Sequence, residues 1–266
     1  MTTIVFLHAH PDDEASSTAG SMARAARRGD RVVVVYATNG DHGEVPEDLH
    51  EGETLVDRRR SEARASAEVL GTARVEWLGY KDSGMTGWDM NAEPGAFCNA
   101  DLDEAAGRLA RILDEEDADV LVGYDWHGNY GHPDHVRVHP VAYRAAQLAR
   151  RRPRVLESTA NRDRMAAGFQ AAREAGLEMD FDPHGPADDG NPMGTPEAEI
   201  HWAVDVTDVV GLKRQALLCH ASQATDIGML TGMPDEAFLA GFGHEHYREH
   251  GRPNGMQPGW PFTPLD

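Results

Sequence analysis

The chain has 266 residues and a formal net charge of −20, because 45 acidic residues outnumber 25 basic ones. This length fits one sizeable α/β domain with its own buried core. The negative charge disfavours nucleic acid or an anionic membrane surface as the main partner, since both require a basic protein surface. Two cysteines, Cys98 and Cys219, are too few for a disulfide framework or a cysteine-type zinc site.

The first residues, MTTIVFLHAHPDDE, have no basic segment before their short apolar run. They therefore predict a first strand rather than a signal peptide. No apolar stretch approaches the length that a membrane-spanning helix needs. We predict a cytoplasmic protein without a membrane span.

Strands and helices alternate along the first 160 residues. Short apolar or β-branched runs predict strands at residues 3–7, 31–37, 74–78, 120–124 and 154–158. Helical periodicity is found at residues 15–28, 53–70, 101–115 (with Asp101 as the N-cap) and 135–151. The alternation predicts an α/β fold, a Rossmann-like three-layer sandwich with a mostly parallel sheet. In such sheets, sites form at the carboxyl ends of the strands.

We expect a single domain over residues 1–266, with the Rossmann-like core at 1–160 and a smaller, irregular C-terminal part at 161–266. The C-terminal part contains a Pro/Gly-rich loop at 182–196, which reads as a lid or an insertion. A strand at 200–206 and a helix at 208–220 follow it. From Met233 onward, aromatic residues, His and Pro are mixed, and only some helix is expected.

Two similar clusters follow two of the predicted strands: His-Pro-Asp-Asp-Glu at 10–14 and His-Pro-Asp-His at 132–135. Proline is favoured just inside a helix start, where its missing N–H would be unpaired anyway. Each cluster therefore presents polar side chains from the first turn of a helix. Because both turns lie at the same edge of a parallel sheet, we expect them to converge.

Histidine and carboxylate side chains are natural ligands of Zn²⁺, and three protein ligands with one open position form the usual catalytic arrangement. The metal activates a water molecule, and a spare carboxylate can take its proton. The first cluster offers one His, one carboxylate ligand and a spare carboxylate; the second offers a ligand His and a spare His. The alternative, that these are only helix caps and surface histidines, is disfavoured because the cluster recurs at matching topological positions.

HAHPDDE near the N-terminus, followed later by GHPDH, resembles the PIG-L/LmbE family of zinc-dependent N-deacetylases. TNGDHGE, RRSEARASAEVLG, LGYKDSGM and KRQALLCHASQ extend the resemblance along most of the chain. It implies a hydrolase that uses metal-activated water to remove an acetyl group from the amide nitrogen of an N-acetyl amino sugar or related small molecule. Zn²⁺ is the implied cofactor, with Fe²⁺ or another divalent metal as the alternative in the cell.

The resemblance also implies roles for ten residues. The implied metal ligands are His10, Asp13 and His135. The implied catalytic residues are Asp12 as general base, His132 as electrostatic catalyst or general acid, Asp134 as the hydrogen-bond partner that orients His132, and Tyr130 as a group that polarises the substrate carbonyl. The implied substrate contacts are Arg59, Asp82 and His220.

Other functions remain open at this stage. One is a mycothiol S-conjugate amidase, although Ser17 stands where those enzymes carry Lys. Another is a non-catalytic sugar-binding relative. Two His and one carboxylate also form the facial triad of Fe(II) oxygenases, but those usually have β-barrel folds. The expected partner is a small N-acylated molecule, and homo-oligomerisation is left open. No G-x-G-x-x-G follows the first strand, which disfavours a dinucleotide cofactor.

Overall fold

The structure is a computed structural model that describes residues 1–174, 176 and 182–264. In these residues the strands are β1 Thr3–His8, β2 Arg31–Thr38, β3 Arg74–Tyr80, β4 Val120–Tyr124, β5 Arg154–Thr159, β6 Trp202–Asp205, β7 His244–Arg248 and β8 Gln257–Pro258. The α-helices are α1 Asp13–Ser17, α2 Ala19–Arg27, α3 Leu55–Leu70, α4 Leu102–Glu115, α5 Pro133–Leu148, α6 Arg162–Glu174, α7 Val210–Cys219, α8 Ala224–Thr231 and α9 Asp235–Phe242.

The described strands form one sheet in the order β3-β2-β1-β4-β5-β7-β6-β8. The first five of these strands are parallel to one another. β7 runs antiparallel to β5 and β6, its two neighbours. The predicted Rossmann-like α/β class with a mostly parallel sheet is therefore confirmed. Because the strand order reverses between β1 and β4, the crevice at their carboxyl ends is the expected ligand position.

Helices cover both faces of the sheet, and β1 separates two apolar cores. Ile4 and Phe6 point into one core, and Val5 and Leu7 point into the other. All four are fully buried, which explains the uninterrupted apolar sequence of this strand. The first core includes residues of α2, α3 and α7, and the second includes residues of α4 and α5.

The C-terminal part is more regular than the sequence indicates, because β6, β7 and β8 extend the same sheet. The segment after Met233 was expected to be irregular with some helix; α9 is that helix, whereas the strands β7 and β8 were not expected. The sequence of β7, HEHYR, is too polar to predict a buried strand, yet Glu245 within it is only 3% exposed. Lys213 neutralises this carboxylate at 2.6 Å, so the strand can be buried.

The helix predicted at 15–28 is two helices, α1 and α2, separated at Thr18. The backbone N–H groups of Gly20 and Ser21 at the start of α2 donate to the carboxylate of Glu245, each at 2.8 Å. A carboxylate at a helix N-terminus satisfies N–H groups that would otherwise be unpaired. This contact between β7 and the start of α2 stabilises the beginning of a second helix after Thr18.

The two sequence clusters begin their helices differently. Pro133 occupies the first turn of α5, as predicted. Pro11 does not lie inside α1, because Asp12 is the N-cap and has a φ of 114°. The predicted loop at 182–196 has neither an α-helix nor a strand of the sheet. No helix among the described residues combines the length and the apolar character needed to cross a membrane.

Candidate metal centre

The first cluster follows β1 at the carboxyl edge of the sheet. After β1 ends at His8, the chain turns through Pro11 and enters α1 at Asp13. The backbone N–H of His10 donates to Oδ2 of Asp13 at 2.8 Å. This bond fixes the carboxylate of Asp13 beside the backbone of His10.

The second cluster follows β4, the other strand at the reversal of the sheet order. His132 is the N-cap of α5, and its Nδ1 accepts the backbone N–H of Asp134 at 3.2 Å. One helical turn later, the ring of His135 contacts the backbone carbonyl of Gly128 through Nδ1 at 3.3 Å. This contact directs Nε2 of His135 away from the loop.

The three predicted metal ligands meet at this edge of the sheet. Nδ1 of His10 lies 3.4 Å from Oδ2 of Asp13 and 3.3 Å from Nε2 of His135. Nε2 of His135 lies 3.3 Å from Oδ1 of Asp13. His132 joins His10 and His135 in a group whose ring nitrogens lie within 4.8 Å of one another.

The chemistry of this donor set fits a divalent metal. Each of the two histidines predicted as ligands turns one ring nitrogen toward the group and the other toward an oxygen acceptor: Asp134 for His10, and Gly128 for His135. Such outer acceptors fix the tautomer and the ring orientation of metal-ligating histidines. Burial opposes charge on Asp13, but His135 and His10 hold the pKa of its carboxyl well below the usual range. A charged carboxylate ligand is therefore available.

Asp12 lies beside the ligands without joining the group. Nη2 of Arg59 donates to Oδ2 of Asp12 at 2.7 Å and also to the carbonyl of Pro11. Burial raises the pKa of Asp12 to about 6, although Arg59 acts in the opposite direction. A carboxyl with a pKa near neutrality suits a group that both accepts and returns a proton.

Asp134 lies in the centre but does not make the expected side-chain contact with His132. Its Oδ2 lies 3.3 Å from Nε2 of His10. The carboxylate also accepts the backbone N–H groups of Ser83 and Cys98, each at 2.8 Å. These two N–H groups draw the side chain toward the β3 side of the site, and the contact that joins Asp134 to His132 is made by its backbone.

His132 is a neutral hydrogen-bond donor in this geometry. Since its Nδ1 accepts an N–H, the proton of the neutral ring lies on Nε2. Burial, together with His10 and His135, lowers the pKa of His132 to about 2. Tyr130 stands 4.8 Å from the His135 ring, centre to centre, and burial raises its pKa well above the usual value. Its phenol therefore keeps its proton.

The three predicted substrate contacts are all buried. Arg59 is 3% exposed and is bonded to Asp12, Pro11 and the carbonyl of Gly40. Asp82 lies 3.4 Å from Nε2 of His10 and accepts the backbone N–H of Gly84 at 2.8 Å. Through these contacts Arg59 holds Asp12 and Asp82 holds His10. A contact of either residue with substrate stays a prediction.

His220, the third of these residues, is fully buried and forms an ion pair with Glu14. Nε2 of His220 lies 2.7 Å from Oε1 of Glu14. Burial opposes both charges, yet the pair lowers the pKa of Glu14 to about 2 and raises that of His220. Sequence reasoning assigned no role to Glu14, although it is the last residue of the first cluster and that position could have indicated one.

The loop at 182–196 packs against the segment that leads into α5. The backbone N–H of Asp188 donates to the carbonyl of Tyr130 at 3.0 Å, and that of Gly194 donates to the carbonyl of Asn129. Trp126, at the start of the same segment, is 53% exposed, and Trp88 is 46% exposed. These two tryptophans are therefore surface residues rather than core.

Comparisons with known proteins identify relatives of this chain. A family model described as "PIG-L: GlcNAc-PI de-N-acetylase" matches residues 5–146. The 1D-myo-inositol 2-acetamido-2-deoxy-alpha-D-glucopyranoside deacetylase of Acidothermus cellulolyticus is 37% identical over 257 residues, which is 92% of this chain and 87% of the relative.

Two solved structures are similar over nearly the whole chain. The N,N'-diacetylchitobiose deacetylase from Pyrococcus horikoshii has a TM-score of 0.58 and 21% identity, and the match covers 93% of this chain and 83% of that one. The 4-carboxy-2-hydroxymuconate hydratase from Pseudomonas putida has a TM-score of 0.60 and 19% identity, with coverage of 95% and 97%. At these identities the likeness shows a shared fold, which therefore occurs with more than one reaction.

Proposed function

The chain belongs to the PIG-L family, and from this premise we propose that it is a metal-dependent N-deacetylase of an N-acetyl amino sugar. The observation that carries the proposal is the convergence of His10, Asp13 and His135, with the spare carboxylate of Asp12 beside them. A binding module without catalysis needs no proton acceptor beside the ligands, and Asp12, although paired with Arg59, is placed to be one.

We propose Zn²⁺ as the metal, held by His10, Asp13 and His135. Two imidazoles and one carboxylate are a ligand set that zinc takes in hydrolases, with a position left for water. When bound, such a metal lowers the pKa of a water molecule and draws electrons from a carbonyl oxygen. Fe²⁺ accepts the same ligands and is the alternative in the cell.

The side chains around this position divide the work of amide hydrolysis. Asp12 accepts the proton that water gives up as its oxygen attacks the acetyl carbonyl. The Nε2–H of His132 donates to the carbonyl oxygen as that atom gains negative charge, and this contact is worth most in the transition state. Asp12 then returns the proton to the nitrogen as the C–N bond breaks. Acetate and a free amine are the products.

The orientation of His132 favours one of its two predicted roles. Its Nδ1 is occupied by the backbone N–H of Asp134, and its ring is neutral. A neutral ring with a proton on Nε2 stabilises an oxyanion as a hydrogen-bond donor. The acid that protonates the leaving amine is therefore Asp12.

The proposed substrate is a small N-acetylglucosaminide. The first substrate to assay is a glucosaminyl inositol, because the Acidothermus relative is named as the deacetylase of such a compound. The S-conjugate amidase activity is disfavoured by Ser17, as in the sequence comparison. The hydratase of similar fold is the second candidate class, and it would release no amine from any N-acetyl sugar.

The test is amine release from a panel of N-acetyl sugars by the zinc-loaded protein. Asp12→Asn should retain one metal per chain while turnover falls about 10²- to 10⁴-fold, the usual contribution of a general base. Asp48→Asn, which changes an exposed carboxylate, is the control and should be fully active. If the wild-type protein releases no amine from the whole panel, or if Asp12→Asn keeps near-normal turnover, the proposed function is wrong.

A further inference from the structure

We propose that Glu14 is the positioning residue for Asp12 and that His220 and Ser66 hold Glu14 in place. The inference rests on the proposed function, because it concerns the residue that serves as the base there. It gives a role to Glu14. It also assigns His220 a contact with Glu14 in place of the predicted contact with substrate.

The backbone of Asp12 needs outside support. Its φ of 114° lies in a region that residues other than glycine rarely adopt, at a cost of about 1–3 kcal/mol. The carbonyl of Asp12 accepts the N–H groups of Ala15 and Ser16, at 2.9 and 3.2 Å, and so starts α1. These bonds fix the far side of the residue and leave its own N–H to be held separately.

Glu14 supplies that support. Its Oε2 accepts the backbone N–H of Asp12 at 3.0 Å. The contact closes a short ring over Asp12 and Asp13, and so sets the base and a metal ligand relative to each other.

The carboxylate of Glu14 is itself fixed from two distant parts of the chain. Its Oε1 accepts the hydroxyl of Ser66, on α3, at 2.6 Å, and contacts Nε2 of His220, directly after α7, at 2.7 Å. Glu14 is 1% exposed, and Ser66 and His220 are fully buried. None of the three is open to a substrate, so we expect an effect on turnover to pass through the turn at Asp12 and Asp13, and metal content separates the two residues.

Arg59 and Glu14 hold Asp12 at different atoms. Arg59 pairs with the carboxylate of Asp12, and Glu14 holds its backbone N–H. Loss of the backbone contact should therefore misdirect the base while its ion pair remains. A misplaced catalytic group can cost about 10²-fold in rate even when the substituted residue never meets the substrate.

The chain offers a matched control in Glu245. This second buried glutamate also accepts backbone N–H groups at a helix start, those of Gly20 and Ser21, and also pairs with a buried cation, Lys213. It serves α2 rather than α1. A substitution there removes the same kind of contact without touching Asp12.

The experiment compares Glu14→Ala and Glu14→Gln with Glu245→Ala and Glu245→Gln, all loaded with zinc. We expect Glu14→Ala to lose about 10²-fold in kcat, with KM within about threefold of wild type and one metal per chain. Glu14→Gln keeps an oxygen for the Asp12 N–H and should recover part of the loss. The Glu245 variants should lower Tm and leave kcat and KM unchanged.

A crystal structure of each Glu14 variant gives a readout independent of turnover. The positive φ of Asp12 should be lost in Glu14→Ala and kept in Glu14→Gln. If the alanine variant does not fold, the test is the kcat of Glu14→Gln, which should be lower than that of the wild type. Wild-type kcat in Glu14→Ala, a kcat loss matched by metal loss, or an unchanged Asp12 backbone would each overturn the inference. An inert wild-type protein would instead refute the proposed function, while the Asp12 conformation in the variants would still decide the positioning role.

Discussion

The carboxylate of Asp134 lies 3.3 Å from Nε2 of His10, while Nδ1 of the same ring faces Asp13 and His135. In the proposed metal centre, Asp134 would therefore act through His10, a proposed ligand. Outer acceptors of this kind orient the imidazole and increase its basicity. The contact joins the two sequence clusters directly.

Asp134→Asn should weaken zinc binding about 10- to 100-fold, the usual cost of losing an outer-shell partner of a ligand. The measurement is competition with a chelator of known affinity. The amide oxygen can still accept one backbone N–H, and Tm measured without metal reports how much of the fold is lost. An unchanged zinc affinity in a folded variant would contradict the role assigned to Asp134.

Removal of the metal with a chelator should lower Tm and abolish turnover, and zinc should restore both. A ligand that binds only the folded chain stabilises it by about 2.7 kcal/mol at 100 times its Kd. His135→Ala should lose this metal-dependent shift in Tm. His50→Ala, at an exposed histidine, should keep it; equal shifts in both variants would mean that zinc binds elsewhere.

Gly128→Ala should weaken zinc binding about tenfold or more, because Gly128 supports His135. Gly128 has a φ of +62°, and an added Cβ would lie 2.5 Å from the carbonyl carbon of His135. Gly87 has a φ of +85° with nothing within 4 Å of the added atom. Gly87→Ala should therefore cost only about 1–2 kcal/mol of stability and leave zinc affinity unchanged. If both variants bind zinc normally, close packing of Gly128 does not matter for the site.

The stability of the fold should fall as the pH is lowered from about 6.5 to about 4, in part because of His246. Burial lowers the pKa of this β7 histidine from 6.5 to about 4. In that interval the unfolded chain binds the proton more readily than the folded chain, so acid favours unfolding, by as much as about 3 kcal/mol at pH 4. Above pH 6.5 both forms are neutral and the contribution is constant.

His246→Gln should flatten this acid loss. The measurement is urea unfolding at several pH values, and the quantity compared is the slope of the free energy of unfolding against pH rather than its absolute value. An identical slope in the variant and the wild type between pH 6.5 and 4 would show that His246 does not titrate as described.

The sequence by itself determined the core of the fold and predicted which residues meet at the proposed metal site. Alternating strands and helices predicted the parallel sheet, because side-chain periodicity is a local property that each segment carries alone. The two clusters predicted that residues 10–14 and 132–135 would be neighbours, because the carboxyl ends of parallel strands share one edge. The family resemblance then implied His10, Asp13 and His135 as the ligands among them. Their roles as ligands remain a prediction until a metal is measured.

Only the tertiary structure decided which partners surround these residues. Glu14 and His220 are 206 positions apart, and no periodicity links them. β7 was missed because its polar sequence argues against a buried strand, and its burial depends on Lys213, a residue of another element. Contacts of this kind depend on how whole helices pack on the sheet, and so a local pattern could not show that Asp134 contacts His10 or that Arg59 lies behind Asp12.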